Sequence, residues 1–355
     1  MRKLDITKYF LDRINQEDYN SKIVECIFND TFSFLPDNEK REYLVELFNG
    51  LMKYDVSIEY ICDIYKELMK FDNYNRDNVK SVKIDNSVVL ECTGSGKKPI
   101  KTLNISTPSI ITAVSAGAKI IKKGSGATSS VIGSADLIYG LGYNKSMSEE
   151  ESERLLKESG FTFVDIEHMI PNFNSIYSGS FYSPHILSYV LAAQVTSLRG
   201  DKIIYGLADA NVSRSCNALK YMNKKSKISV YTSVDREGYC FDELLGNGDG
   251  LICRYVDGCT WDSEIKLDLP TASKVMAKNS REESMQAVVS LLKNQSNEDY
   301  LRIVAYNAGF YLFEAETVES ISEGISLAEE CIRSNKAYTK LIEIIELSGG
   351  TPSWF

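Results

Sequence analysis

Lysines, glycines, hydroxyls and one acid pair carry the chemistry that this 355-residue chain can offer. Within residues 92–142, three polar, glycine-bearing loops interrupt apolar runs. The first is Thr93-Gly94-Ser95-Gly96-Lys97-Lys98 and the second Asn104-Ile105-Ser106-Thr107. The third is Lys122-Lys123-Gly124-Ser125, with Ser129-Ser130 and Gly133-Ser134-Ala135-Asp136 shortly after it. Glycine lets backbone N–H groups come close to an anion, and a helix N-terminus adds partial positive charge. Hydroxyl and ammonium groups add donors for phosphate oxygens. Three such loops so close together suit a ligand carrying several phosphates. The adjacent acids Asp242 and Glu243 follow a strand-like run and suit Mg²⁺, which takes one or two carboxylates and fills its shell with water and phosphate. With 49 acids in the chain, about seven acid–acid neighbours arise by chance. The pair gains weight only from its setting.

Each motif has a plainer account. TGSGKK is not a P-loop, because Glu91 and Lys98 stand where that motif needs a glycine and a hydroxyl residue. It is not the dinucleotide fingerprint either, because Lys98-Pro99 replaces the last glycine. An ordinary tight loop explains this motif, taken alone, equally well. His168 follows a strand-like run and precedes Pro171, so it is either a substrate-facing residue or a locally bonded structural one. The Tyr and Phe residues of 173–189 either floor an aromatic pocket or pack in the core.

The elements that must position these residues read as follows. Residues 1–80 are helical, with apolar stripes at Leu44, Leu47, Phe48, Leu51 and Met52, then at Ile58, Ile61, Tyr65 and Leu68. A polar, turn-rich stretch at 71–78 marks a junction. Strands are expected at 88–90, 119–121, 161–166, 202–207, 228–232 and 251–256. Helices are expected at 108–118, 147–158, 186–195 and 212–222, and from 281 onward. The alternation gives an α/β fold: a small N-terminal helical domain (1–80, a helix near 175–195 packing on it) and a larger α/β domain (81–355) with a mainly parallel central sheet and C-terminal helices.

The totals narrow the classes. A net charge of −9 argues against a general nucleic-acid binder. No signal peptide or membrane-length apolar run is visible, and the eight cysteines form no C-x-x-C pair. The expectation is reduced thiols in a cytoplasmic protein with no membrane or nucleic-acid partner.

In order and spacing, these motifs resemble the anthranilate phosphoribosyltransferase family, which is related to the pyrimidine nucleoside phosphorylases. That family shows a GTGGDG-like loop, N-x-S-T, K-H-G-N, S-S-x-x-G-S-A-D, L-G and a later D-E pair. This chain shows CTGSGKK, NIST (104–107), KKGS (122–125), SSVIGSAD (129–136), LG (141–142) and FDEL (241–244). The resemblance implies 5-phosphoribosyl-1-pyrophosphate (PRPP) and Mg²⁺. Thr93, Gly94, Ser95 and Gly96 would hold pyrophosphate; Lys97, Asn104, Ser106, Thr107, Lys122, Gly124 and Ser130 would complete the PRPP site; Asp242 and Glu243 would bind metal. Lys123, Ser125, His168, Tyr177 and Ser178 would face the acceptor, an aromatic or heteroaromatic nitrogen compound. No residue is required as a nucleophile, and a homodimer is implied by analogy.

The departures fall unevenly. KHGN has become KKGS, and the family arginine that would grip the acceptor's carboxylate aligns with Tyr177 or Ser178. The first loop lacks the family's second consecutive glycine and its aspartate. The donor half is mostly kept and the acceptor half rewritten. Alternative readings are a non-catalytic homologue that binds a phosphorylated ligand, or a nucleoside phosphorylase-like enzyme, although the K-x-S-T-G-G loop of the latter is absent.

Overall fold

The computed structural model describes residue 12 and residues 20–30, 32–127, 131–223 and 226–353. Helices α1 (Ser21–Asp30), α2 (Asp37–Leu51) and α3 (Ile58–Met69) open the described chain. On α2 the stripe Tyr43, Leu44, Leu47, Phe48 and Leu51 is buried, as the helical spacing predicts.

Strand β1 (Val89–Gly94) is followed by α4 (Ser106–Ser115), β2 (Lys119–Gly124), α5 (Ser134–Gly140), α6 (Glu149–Ser159) and β3 (Phe161–Asp165). Single-turn α7 (Ile166–Met169), α8 (Pro171–Tyr177) and single-turn α9 (Leu191–Gln194) lead to β4 (Lys202–Gly206), α10 (Val212–Met222) and β5 (Lys227–Val234). Short β6 (Cys240–Phe241) and the hairpin β7 (Asp249–Val256) and β8 (Cys259–Lys266) complete the sheet. Helices α11 (Arg281–Leu292), α12 (Glu298–Glu314), α13 (Ile321–Arg333) and α14 (Lys336–Leu347) close the described chain.

The sheet order is β3-β2-β1-β4-β5-β7-β8, with β6 beside β5. Contacts among β1 to β5 are parallel; those of β5 with β6 and β7, and of β7 with β8, are antiparallel. Strands β1 to β3 step outward in one direction and β4 and β5 in the other. The order therefore reverses between β1 and β4, where α/β sheets form a crevice beyond their carboxyl ends. The parallel strands are buried along most of their length because helices cover both faces, yet β1 and β2 carry the buried charges Glu91, Lys122 and Lys123.

Several expectations shift. The helix expected at 108–118 starts at Ser106, because Asn104 Oδ1 accepts the Thr107 N–H at 3.1 Å and draws the chain into helix earlier. The buried helix expected at 186–195 is a 3₁₀ turn (Ile186–Tyr189) followed by α9, with Val190 at φ −138° between them. Strand β8 was not expected: its sequence, CTWDSEIK, is exposed and mostly polar and gives no apolar run.

Two apolar clusters matter for the site. One joins α1 to α3 with residues of α8, the 166–195 segment and one face of β4 and β5. The other lies between the opposite face of the sheet, α4, α5 and the C-terminal helices. Between the clusters, Glu91 of β1 is fully buried. Arg76 donates to its Oε1 at 2.6 Å and Lys123 to its Oε2 at 3.2 Å. Arg76 and Lys123 also donate to the carbonyls of Gln194 (3.2 Å) and Ala193 (2.5 Å). Arg76 lies in the stretch read from sequence as a polar junction, yet it is buried and pins that stretch to the sheet. Burial opposes the Glu91 charge, but the two cations prevail and hold its carboxyl below the usual range.

Candidate active site

The carboxyl ends of β1 and β2 open into one pocket, lined by all three glycine loops, α7, α8, α9 and the acid pair. Its first wall is built from β1 outward. Gly94 and Gly206 stand side by side in β1 and β4, and Asp242 packs on both. A Cβ on Gly94 would lie 2.4 Å from Asp242 Oδ2, and one on Gly206 2.0 Å from the Asp242 carbonyl oxygen. Any side chain at either position would push the acid away. The Gly96 N–H then donates to Asp242 Oδ2 at 2.8 Å, which closes the first loop onto the carboxylate.

Lys98 reaches Glu243 Oε2 at 2.7 Å and lies 3.9 Å from Asp242 Oδ1. Burial disfavours the Lys98 charge, but the two carboxylates overcome it and hold the ammonium above its ordinary range. Glu243 is pushed up to about 7, by burial first and by the Asp242 charge second. Asp242 Oδ1 is buried and has no hydrogen-bond partner among the described residues. Opposite stands Lys122, 3.3 Å from Ser106 Oγ at the N-terminus of α4. Burial lowers the Lys122 pKa. This wall presents two lysines, a helix N-terminus and a buried acid pair with an unsatisfied oxygen.

The second wall is aromatic. Tyr177 and Asn174, one turn apart on α8, line the pocket with Phe173 and Ile170. Behind them Phe181 and His185 pack at 4.2 Å between ring centroids, and Phe48 of α2 stacks on His185 at 5.2 Å. Lys97 enters this wall. Its Nζ lies 2.8 Å from His185 Nε2, in hydrogen-bond contact with Tyr177 Oη and 4.7 Å from the Tyr177 ring centre. The Leu187 N–H points at His185 Nδ1 at 3.3 Å, so the ring proton belongs on Nε2, facing Tyr177 Oη and Lys97 Nζ. Burial lowers Lys97 to about 7, and burial with the Lys97 charge lowers His185 well below its ordinary value.

Of the residues singled out from sequence, Thr93, Gly94, Ser95, Gly96, Lys97, Asn104, Ser106, Lys122, Lys123, Gly124, Ser125, Tyr177, Asp242 and Glu243 all line this pocket. Thr107 and Ser178 do not. Thr107 is buried behind the helix start, and the Ser178 N–H donates to the Asn174 carbonyl at the end of α8. Ser130 lies outside the described residues.

Three expectations need correcting. His168 lines a separate cleft with Tyr139, Tyr143 and Asp165. Within the single turn of α7, Ile166 and Glu167 face the pocket, and the next residue turns to the other side. Lys123 touches the pocket, but its ammonium lies beneath the loop with Glu91, so it serves the core rather than an acceptor. Lys97, expected among the PRPP-binding residues, turns its amine into the aromatic wall.

Sequence reasoning missed His185, Glu167 and Asn174. His185 was one of only two histidines but had no motif around it. Burial, then the Asp165 charge, raises the Glu167 pKa.

The model of the glycosyl transferase family a/b domain matches residues 86–178, which hold all three glycine loops. Anthranilate phosphoribosyltransferase of Pyrobaculum aerophilum is 28% identical over 269 residues, covering 73% of this chain and 77% of that protein. The Helicobacter pylori enzyme of the same name (strain HPAG1) is 27% identical over 267 residues, covering 73% and 78%. Among solved structures, Thermus thermophilus anthranilate phosphoribosyltransferase superposes with a TM-score of 0.72 at 19% identity, over 97% of this chain and 99% of that one. The Saccharomyces cerevisiae enzyme in complex with PRPP and Mg gives 0.70 at 20% identity, over 98% and 93%. At that level of identity the likeness establishes the fold.

Proposed function

We propose that this chain is a phosphoribosyltransferase of the anthranilate phosphoribosyltransferase family, moving the 5-phosphoribosyl group of PRPP to the nitrogen of an aromatic or heteroaromatic acceptor and releasing pyrophosphate. The observation that carries this reading is the first wall. Backbone N–H groups, Lys98, Lys122 and the α4 N-terminus converge there on a space bordered by Asp242 and Glu243.

The acid pair fits Mg²⁺. Two adjacent carboxylates meet its usual protein share, and the unpartnered Asp242 Oδ1 has the character of a cation ligand. Asp242 and Glu243 would hold the ion, which when bound neutralises charge on the diphosphate.

The residues themselves do three things. Lys98, Lys122, Ser106 and the first-loop amides bind and orient the leaving diphosphate while positive charge grows on the ribose. The aromatic wall holds the acceptor ring and keeps water away. Placing the acceptor nitrogen behind the anomeric carbon converts a bimolecular attack into a local one. By analogy with the family, the functional unit is a cytoplasmic homodimer.

The test is pyrophosphate release from PRPP and Mg²⁺ with a panel of aromatic amines, aromatic acids and nucleobases. Release that needs both Mg²⁺ and one acceptor supports transfer. PRPP binding without release under any acceptor of the panel favours a non-catalytic phosphoribosyl-ligand binder.

A further inference from the structure

The aromatic wall contains a lysine that lacks an anion. We propose that Lys97 is a specificity-determining residue of the acceptor subsite, and that its ammonium receives an acid group carried by the acceptor ring. This rests on the transfer reading for the identity of the subsite, but not for the contact itself.

Four observations lead to Lys97. First, neighbouring lysines on one loop are sent to opposite walls. Lys98 goes to Glu243, while Lys97, in the left-handed region at φ 62°, turns its side chain into the box of Tyr177, Phe181 and His185. That backbone conformation is uncommon outside glycine and fixes the direction of the side chain. Second, Lys97 is buried, and its close polar neighbours are Tyr177 and His185, with no carboxylate among the described residues in ion-pair contact. A buried charge without a partner is costly, so the ammonium is completed by an anion that arrives with a ligand. Third, Lys97, Tyr177 and Asn174 all line the pocket, so such an anion meets a cation, a phenol hydroxyl and an amide together. Fourth, the surrounding rings favour a planar aromatic ligand. Of the other lysines lining the pocket, Lys98 pairs with Glu243, Lys123 with Glu91, and Lys101 donates to the Lys98 carbonyl at 2.7 Å, while Lys122 faces Ser106 on the first wall, away from the rings.

Proton placement is consistent. With the His185 proton on Nε2, the ligand-free box accommodates Lys97 as an amine, and an incoming acid group restores the ammonium.

The experiment is calorimetric titration of the PRPP–Mg²⁺-loaded full chain with two matched pairs, anthranilate against aniline and nicotinate against pyridine. It is run on the wild type, Lys97→Met and Lys97→Arg. Wild type should bind the acid member of at least one pair about 30-fold or more tightly, the size expected when a buried charge pair is completed. Lys97→Met should erase that preference with PRPP affinity held within about threefold, and Lys97→Arg should keep part of it. The Arg variant keeps the proposal falsifiable if the Met variant does not fold. No preference in either wild-type pair, an unchanged preference in Lys97→Met, or a loss of PRPP binding instead would overturn it. Pyrophosphate release measured alongside is independent: a preference erased by Lys97→Met in a wild type that releases nothing keeps the Lys97 assignment and sinks the transfer reading.

Discussion

The two walls of this pocket surround their buried lysines with different chemistry. The donor wall sets charges against each other: Lys98 with Glu243 and Asp242, and beneath it Lys123 and Arg76 with Glu91. The aromatic wall buries Lys97 against rings and a neutral histidine. Lys122 on the first wall has a hydroxyl neighbour, Ser106 Oγ at 3.3 Å, whereas Lys97 has only rings, a phenol and an imidazole around it. The difference is carried by one loop, which sends Lys98 to the acids and Lys97 to the rings.

The comparison can be broken at several points, taken here from the largest expected effect downward. Asp242→Ala removes the acid that closes the first loop, and Mg²⁺-dependent pyrophosphate release should fall to background; retained turnover would remove Asp242 from the donor wall.

Glu91→Ala should destabilise the chain by about 3–5 kcal/mol, because it strands Arg76 and Lys123 as buried charges. Lys97→Met should do the reverse and stabilise it by the order of a few kcal/mol at most. The sign follows from linkage. Lys97 titrates near 7 when folded and near 10.5 when unfolded. The unfolded chain therefore binds the extra proton between these values, and stability rises with pH across that window. The gain from Lys97→Met should be full below pH 7 and vanish above about 10.5. Denaturant melts at pH 6 and pH 10 check both variants, and a destabilised Lys97→Met at pH 6 would contradict the unpaired reading.

A smaller effect sharpens the donor wall. Glu243 titrates near 7, so Mg²⁺ competes with a proton there. Mg²⁺ affinity should weaken by up to about tenfold per pH unit as pH falls below 7. Titration at pH 8 and pH 6 measures this, and a flat profile would place the metal elsewhere.

Much of the donor wall was legible in sequence because it is local. A strand feeding a glycine loop, a hydroxyl cluster before a helix and an acid pair after a strand are each contiguous, and parallel β topology brings them together. The acceptor wall was less legible because it depends on rotation and distance. His168 and Glu167 differ by one helical step, and that step sends them to different clefts. His185 meets Lys97 across 88 residues. Lys123 looked like a ligand cation, since nothing local shows that Glu91 lies under it. Strand β8 escaped because an exposed edge carries no apolar signature.

The most direct measurement of the central claim is pyrophosphate release from PRPP and Mg²⁺ with an acid-bearing aromatic amine, compared with the same amine lacking the acid. The account predicts release with the acid-bearing amine and little without the acid. Release that ignores the acid group, or none with any acceptor although PRPP and Mg²⁺ bind, would contradict it.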